Sequence, residues 1–230
     1  MKMFSLLLVA VLALGPVVAA QEEEESVKDF LEVAVFGGGS LPVGGLSDWS
    51  ETTQYSETES ATEKLGTKFG FDAGFDIGHF LTPALVVGVN FTYAQFGIES
   101  DSAAVASLHH RLICPSAYLK YYFTGESNLM PYVKVHAGVD VAKYTTRVRD
   151  GNEDGYVYRE FSYDPALSFG FGGGVFYYTF DYGGIYAEAN YHMALTKNVT
   201  GKYGDYKYTF GETASVLDVN AGIKVFFGGE

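Results

Sequence analysis

The chain has one cysteine, Cys114, among 230 residues. A single cysteine excludes an internal disulfide framework. Proline is scarce, at six residues. After the first twenty residues there is no apolar run of ~20, so no transmembrane helix is encoded. Positive charge is in deficit, with 15 Lys and Arg against 28 Asp and Glu, a formal net charge of −13. That balance argues against a nucleic-acid partner. Glycine is abundant, at 28 residues, and tyrosine and phenylalanine at 18 each. This mixture suits strands and turns far better than helices.

Residues 1–20 read as a secretory signal. Lys2 supplies the positive end, residues 4–14 an apolar run too short to span a bilayer, and Val18-Ala19-Ala20 a small-residue cleavage site. No cysteine stands at that site to carry a lipid. Cleavage after Ala20 leaves Gln21 first, then an acidic leader over 21–28 that includes Glu22 to Glu25, then one domain over 29–230. The acidic run reads as a solvated leader rather than an interaction tail.

Residues 66–78 carry the clearest pattern. Phe69, Phe71, Ala73, Phe75 and Ile77 alternate with Lys68, Gly70, Asp72, Gly74, Asp76 and Gly78. Period two means a strand with two unlike faces. The polar face, glycines and charges, would make a poor core. The same alternation returns in seven more segments, near 30–40, 85–94, 108–123, 131–141, 168–177, 185–193 and 217–227. Around His109, His110 and Arg111 the faces cannot be assigned from the pattern.

Eight strands of this length match the ~9–11 residues that cross a hydrocarbon layer at a tilt. The segments between them alternate in length. Long polar loops are expected at 41–64, 99–106, 147–156 and 197–211, and short turns at 79–83, 125–128 and 181–184. Transmembrane barrels show that asymmetry, with short turns on one side and longer loops on the other. Aromatics gather at strand ends, Tyr121, Phe123, Tyr177, Phe180, Tyr182 and Phe227 at one end and Tyr93, Phe96 and Tyr144 at the other. They are expected to form the two interface girdles. The expected fold is all-β, an eight-stranded antiparallel transmembrane up-and-down β-barrel. Lipid cannot satisfy an open sheet edge, so the barrel must close.

Several segments in this order and spacing carry a resemblance: Tyr118-Leu-Lys-Tyr-Tyr-Phe123, Pro131-Tyr-Val-Lys-Val-His-Ala-Gly-Val139, Gly172-Gly-Gly-Val-Phe-Tyr-Tyr178 and Leu217-Asp-Val-Asn-Ala-Gly-Ile-Lys-Val-Phe-Phe227. The chain resembles the small outer-membrane β-barrel family of the OmpA/OmpX type, from about residue 30 to 227. The resemblance implies a monomer in the bacterial outer membrane, with both termini periplasmic and long loops extracellular. Residues 222–227 look like the family's C-terminal assembly signal, which implies the barrel-assembly machinery and outer-membrane lipid as partners. No peptidoglycan-binding domain is expected after the barrel.

Catalysis needs a nucleophile or an acid–base pair within reach of substrate. His136 and Asp140 share a strand face, as do Glu188 and His192. Without a defensible Ser/His/acid set at a rim, these residues read as lumen hydrogen-bonding groups. His109 and His110 face opposite ways and make no metal pair. Asn90-Phe-Thr92 and Asn198-Val-Thr200 match the glycosylation pattern but mean little in a bacterial exported barrel. No catalytic residue, cofactor or metal ligand is expected.

The polar faces place three acids and three bases near the short-turn end: Glu32, Asp76 and Glu188 with Lys120, Lys134 and Lys224. An eight-stranded barrel is too narrow for a water-filled pore. Charges brought together there must pair, with Glu32 and Lys224 expected to meet across the strands that close the barrel. The expected role is structural or interactive: envelope integrity, adhesion, or contact with outside ligands through loops. Its rivals are a narrow channel or small-solute transporter, an outer-membrane lipid enzyme, and a soluble lipocalin-type binder.

Overall fold

The computed structural model describes residues 30–47, 49–54, 60–100, 105–123, 127–149, 156–196, 200–203, 206–210 and 213–228. The secretory signal and the acidic leader expected over 1–28 lie outside these residues. Among the described residues there are twelve strands: β1 (Leu31–Val43), β2 (Trp49–Gln54), β3 (Ser60–Phe80), β4 (Leu85–Ser100), β5 (Val105–Tyr122), β6 (Leu129–Arg149), β7 (Tyr156–Tyr163), β8 (Ala166–Phe180), β9 (Gly183–Ala194), β10 (Thr200–Tyr203), β11 (Tyr206–Phe210) and β12 (Ala214–Phe227). The one helical element among the described residues is a 3₁₀ turn at Gly44–Leu46.

Eight of the strands close a barrel, in the order β1-β12-β9-β8-β6-β5-β4-β3 and back to β1. Every pairing is antiparallel. Leu31 lies opposite both Phe227 on β12 and His79 on β3, so the first and last strands meet at the closing seam. No edge remains in this ring, as a lipid environment requires.

The alternation seen in the sequence decides what faces where. Val35, Phe71, Phe171 and Ile223 point outward and are 56%, 53%, 61% and 52% exposed. Between them on the same strands, Ala34, Asp72, Asp76, Ser168 and Lys224 are buried inside. A continuous apolar belt of this extent is untenable in water and suits a hydrocarbon layer. Phe123, Tyr177, Phe180, Tyr182 and Phe227 stand exposed near the short-turn end, where an aromatic girdle belongs. Phe96 departs from its expected place in the opposite girdle. It is fully buried in the lumen, its ring 6.2 Å from His110. Its neighbours along the strand explain this, because Asn90 and Ala94 share its inward phase. The side chain of Tyr144 is outside the described residues.

The uncertain stretch of β5 also resolves. His110, Leu112, Cys114, Ser116, Tyr118, Lys120 and Tyr122 are all buried, while His109, Pro115 and Ala117 are exposed. The phase is unbroken. It is hard to see in the sequence because Leu112 and Cys114, both apolar, stand on the inner face.

The expected long loops are partly strand. β2 lies within 41–64, and β10 and β11 lie within 197–211. The ends of β6 and β7 reach into the loop expected at 147–156, and those of β4 and β5 into the loop expected at 99–106. The four extra strands pair in the order β3-β2-β11-β10-β7-β6. Together with the upper parts of β3, β4, β5 and β6 they close a second ring of eight above the first. The reason lies in strand length. β3 and β6 are 21 residues each, or ~70 Å along the strand at ~3.3 Å per residue. At a barrel tilt near 40° they rise ~50 Å, well beyond a ~30 Å hydrocarbon core. β1, β8, β9 and β12 are shorter, so β3 and β6 would present bare edges above them. Threonine- and tyrosine-rich segments such as Tyr206-Lys-Tyr-Thr-Phe210 have the β-propensity to cover those edges.

Candidate functional site: a charged plug beneath a polar chamber

The short-turn half of the lumen is filled from the wall inward. Tyr118, Tyr122, Tyr132, Phe176 and Tyr186, with Ala34 and Val86, form one buried cluster. Such bulk fits because glycines stand opposite. A β-carbon at Gly88 would lie 2.6 Å from Tyr118 Cζ, and one at Gly174 would lie 2.7 Å from the Tyr132 hydroxyl oxygen. Small and large residues therefore interlock across the taper.

Inside this aromatic collar the structure places all six charges singled out in the sequence, each at most 6% exposed. Lys120 contacts Glu32 directly and Asp76 at 3.4 Å. Lys134 reaches Asp76 at 3.1 Å and Glu188 at 3.2 Å. Lys224 lies 3.6 Å from Glu32. The result is a chain of alternating charge, Lys224–Glu32–Lys120–Asp76–Lys134–Glu188. Hydrogen bonds complete it. The Tyr122 hydroxyl donates to Glu32, and Asn90 Nδ2 donates to Asp76 at 2.6 Å. Asn190 Nδ2 donates to Glu188 at 2.5 Å. Lys224 Nζ donates to the Tyr122 hydroxyl and sits 4.6 Å from the Tyr132 ring centroid and 4.8 Å from that of Tyr186.

Glu32 and Lys224 do meet across the closing seam, but they are not each other's sole support. Glu32 is held more closely by Lys120 and Tyr122, which reach it from β5 across the lumen. Lys224 is the more dependent partner, with Glu32 its one carboxylate within 4 Å among the described residues. The sequence shows which strands are neighbours at the seam; it does not show how far a lysine from the opposite wall can reach.

Above the plug lies a second cluster. A cavity of about 40 Å³ is bordered by Phe36, Phe96, Cys114, His136, Asp140 and His192, and it reaches down to Lys134 and Glu188. His192 Nε2 is 2.7 Å from Asp140 Oδ2, and His192 Nδ1 is 3.1 Å from His136 Nε2. The two imidazoles stack, with centroids 5.4 Å apart and planes 11° from parallel. Cys114 Sγ is 3.6 Å from Ser168 Oγ. On the far wall, Ser40 Oγ lies 2.6 Å from both Asp72 Oδ2 and Asp218 Oδ1. A hydroxyl has one proton to donate, so Ser40 serves one of the two carboxyl groups at a time.

The sequence pairing of His136 with Asp140, and of Glu188 with His192, shares faces but not contacts. The pair that forms is His192 with Asp140, from different strands. Cys114 stands alone in the sequence, and a lone buried cysteine carries no sequence signal. A Cys/His/Asp set raises the question of a nucleophile. Both nitrogens of His192 already face other partners, Asp140 and His136, and Cys114 is turned to Ser168. The base that a thiol nucleophile needs is therefore not aimed at it.

No protein-family model matches the chain, and no curated protein is significantly similar to it in sequence. Solved structures do match in shape. The outer membrane protein OprG from Pseudomonas aeruginosa aligns over 88% of this chain and 97% of its own, at 14% identity and a TM-score of 0.54. AlkL, an outer membrane protein solved in lipid bilayers, aligns over 91% of this chain and 94% of its own, at 14% identity and a TM-score of 0.49. Neisserial surface protein A aligns over 86% and 96%, at 16% identity and a TM-score of 0.39. Identities this low speak to fold alone, and the OprG match carries that point. With its closed ring of eight antiparallel strands, its apolar outer belt and its polar lumen, this chain has the fold of the small outer-membrane β-barrels.

Proposed function

We propose that the protein is a non-enzymatic outer-membrane barrel whose lumen is sealed, so that its role lies in envelope structure and in contacts made by the end opposite the short turns. The observation that carries this is the plug. Six buried charges, three of each sign, link strands around the lumen inside a collar of tyrosines. A solute would have to break several buried ion pairs to pass, and breaking one such pair costs roughly 3–5 kcal/mol. The second ring of strands supports the other half of the proposal. It carries the barrel well past the hydrocarbon layer, to the end where a ligand from outside would first meet the chain.

The proposed orientation puts both chain ends in the periplasm. Residues 30 and 228 lie at the short-turn end, since Leu31 pairs with Phe227. The barrel buries its inner surface without a partner subunit, which supports a monomer bathed in outer-membrane lipid. Delivery by the barrel-assembly machinery through β12 follows from the resemblance of residues 222–227 to an assembly signal.

Planar-bilayer recording on the refolded protein tests the seal. The expected result is little or no steady conductance. A stable open-channel current from the unmodified protein would replace this proposal with its rival, a narrow channel or solute transporter. Hydrolysis of outer-membrane lipid by the purified barrel would replace it with an enzyme.

A further inference from the structure

We propose that Cys114, Asp140 and His192 form a binding site for one divalent transition-metal ion of the zinc class, set in the lumen above the charged plug. The three residues come from β5, β6 and β9, and one ligand atom from each lies within 4.8 Å of the others. All three are buried. Convergence from three strands is not a by-product of local sequence, as a pair on one strand would be.

The donor set selects the ion. One thiolate sulfur, one imidazole nitrogen and one carboxylate oxygen make a mixed set that zinc accepts and that calcium and magnesium, which want oxygen alone, do not. Three protein ligands leave a fourth position. The adjoining cavity of about 40 Å³ has room for a water there. The charges also balance. A thiolate and a carboxylate together cancel the ion's two positive charges, so binding leaves the neutral six-charge plug below undisturbed.

A second observation points the same way. Asp140 is 1% exposed and its Oδ1 makes no close hydrogen bond, the Cys114 thiol and the Ser168 hydroxyl being the donors around the carboxylate besides His192. A buried carboxylate oxygen held this weakly is costly, and a cation supplies what it lacks. The supporting contacts are those a metal site uses. His136 meets the second nitrogen of His192 at 3.1 Å and fixes its ring, and Ser168 Oγ stands 3.6 Å from the sulfur. On binding, the Cys114 thiol loses its proton to solvent, and His192 Nε2 exchanges its contact with Asp140 for the ion.

The test uses untagged mature protein folded in detergent and dialysed against zinc, with bound metal counted by elemental analysis. One zinc per chain is expected, together with protection of Cys114 from alkylation and, with cobalt(II) in place of zinc, a thiolate-to-metal absorption band. Cys114→Ser and His192→Gln should each weaken zinc binding at least 100-fold, and His136→Gln by ~10–100-fold. His109→Gln, on the exposed outer face, should bind as the unmodified protein does. Far less than one zinc per chain, or full binding by folded Cys114→Ser, would overturn the site. If either ligand variant fails to fold, the cobalt band and the alkylation protection decide on the unmodified protein, and the absence of both would overturn it.

Discussion

Lys120 is the hub of the plug, and replacing it with methionine isolates the cost of breaking that hub. Methionine keeps the apolar stem of lysine and removes the ammonium, with its charge and its three donors. In the native lumen Lys120 serves two carboxylates, Glu32 and Asp76. After Lys120→Met, Glu32 keeps Lys224 at 3.6 Å and the Tyr122 hydroxyl, and Asp76 keeps Lys134 at 3.1 Å and Asn90 at 2.6 Å. Neither acid is orphaned, but the six-charge cluster carries a net negative charge. Removing one partner of a buried pair costs ~3–5 kcal/mol, and the surviving contacts place this variant near 3. Glu32→Gln should cost more, toward 5, because it strips Lys224 of its carboxylate while burial holds the ammonium in place. The double variant Glu32→Gln with Lys120→Met restores neutrality, with Lys224 and Lys134 against Asp76 and Glu188. It should therefore cost ~1–3 kcal/mol less than the two single costs added. Urea unfolding of the barrel in lipid vesicles, followed by circular dichroism and gel mobility, measures all three by linear extrapolation. Strict additivity, within ~0.5 kcal/mol, would show that the charges act independently and would refute the paired plug.

Other substitutions probe the faces and the packing. Phe71→Arg and Val135→Arg put a charge on the lipid belt and should each destabilise the folded barrel by ~2–4 kcal/mol in the same unfolding assay. Thr92→Arg, on the lumen side, should cost less; if it were the worst of the three, and Thr92→Gln did not share the loss, the faces would be inverted. Gly88→Val drives a β-carbon to within 2.6 Å of Tyr118 Cζ and should cost ~1–3 kcal/mol by overpacking; a variant as stable as the parent would mean that the collar is loose. Protease applied to intact cells should cut within 41–64 or 197–211, and cutting at 125–128 instead would reverse the orientation.

Much of the barrel is legible in the sequence because one physical rule governs it. A strand between lipid and a narrow lumen must alternate, and the phase of that alternation places Phe71 outside and Asp72 inside without knowledge of any contact. The six plug charges are legible on the same ground, since burial on the inner face follows from phase and pairing follows from burial. The second ring is not legible in this way. Above the lipid both faces meet polar surroundings, so a segment such as Trp49-Ser-Glu-Thr-Thr-Gln54 shows no contrast and reads as loop. Phe96 misleads for a related reason. The lumen wall near it is itself apolar, with Ala94 and Leu112 buried beside it, so an inward aromatic looks like an outward one.

The Cys114, Asp140 and His192 cluster lies beyond sequence reading for a different reason, and that reason separates the two levels of the lumen. In the plug, opposite charges in equal number reveal a network even when their partners are unknown. In the chamber, the residues that meet are one thiol, one acid and two imidazoles from strands that are not all neighbours, and only the curvature of the closed ring brings them together. The lower network satisfies itself with the protein's own charges. The chamber wall does not, for Asp140 Oδ1, His136 Nδ1, Asn190 Oδ1 and Asn220 Oδ1 are buried without a close hydrogen bond around the cavity. A native interior leaves few such atoms unsatisfied, and several around one cavity are the partners that water or an ion takes. The plug is thus the part of the lumen that holds the barrel together, and the chamber above it is the part shaped to receive water or an ion.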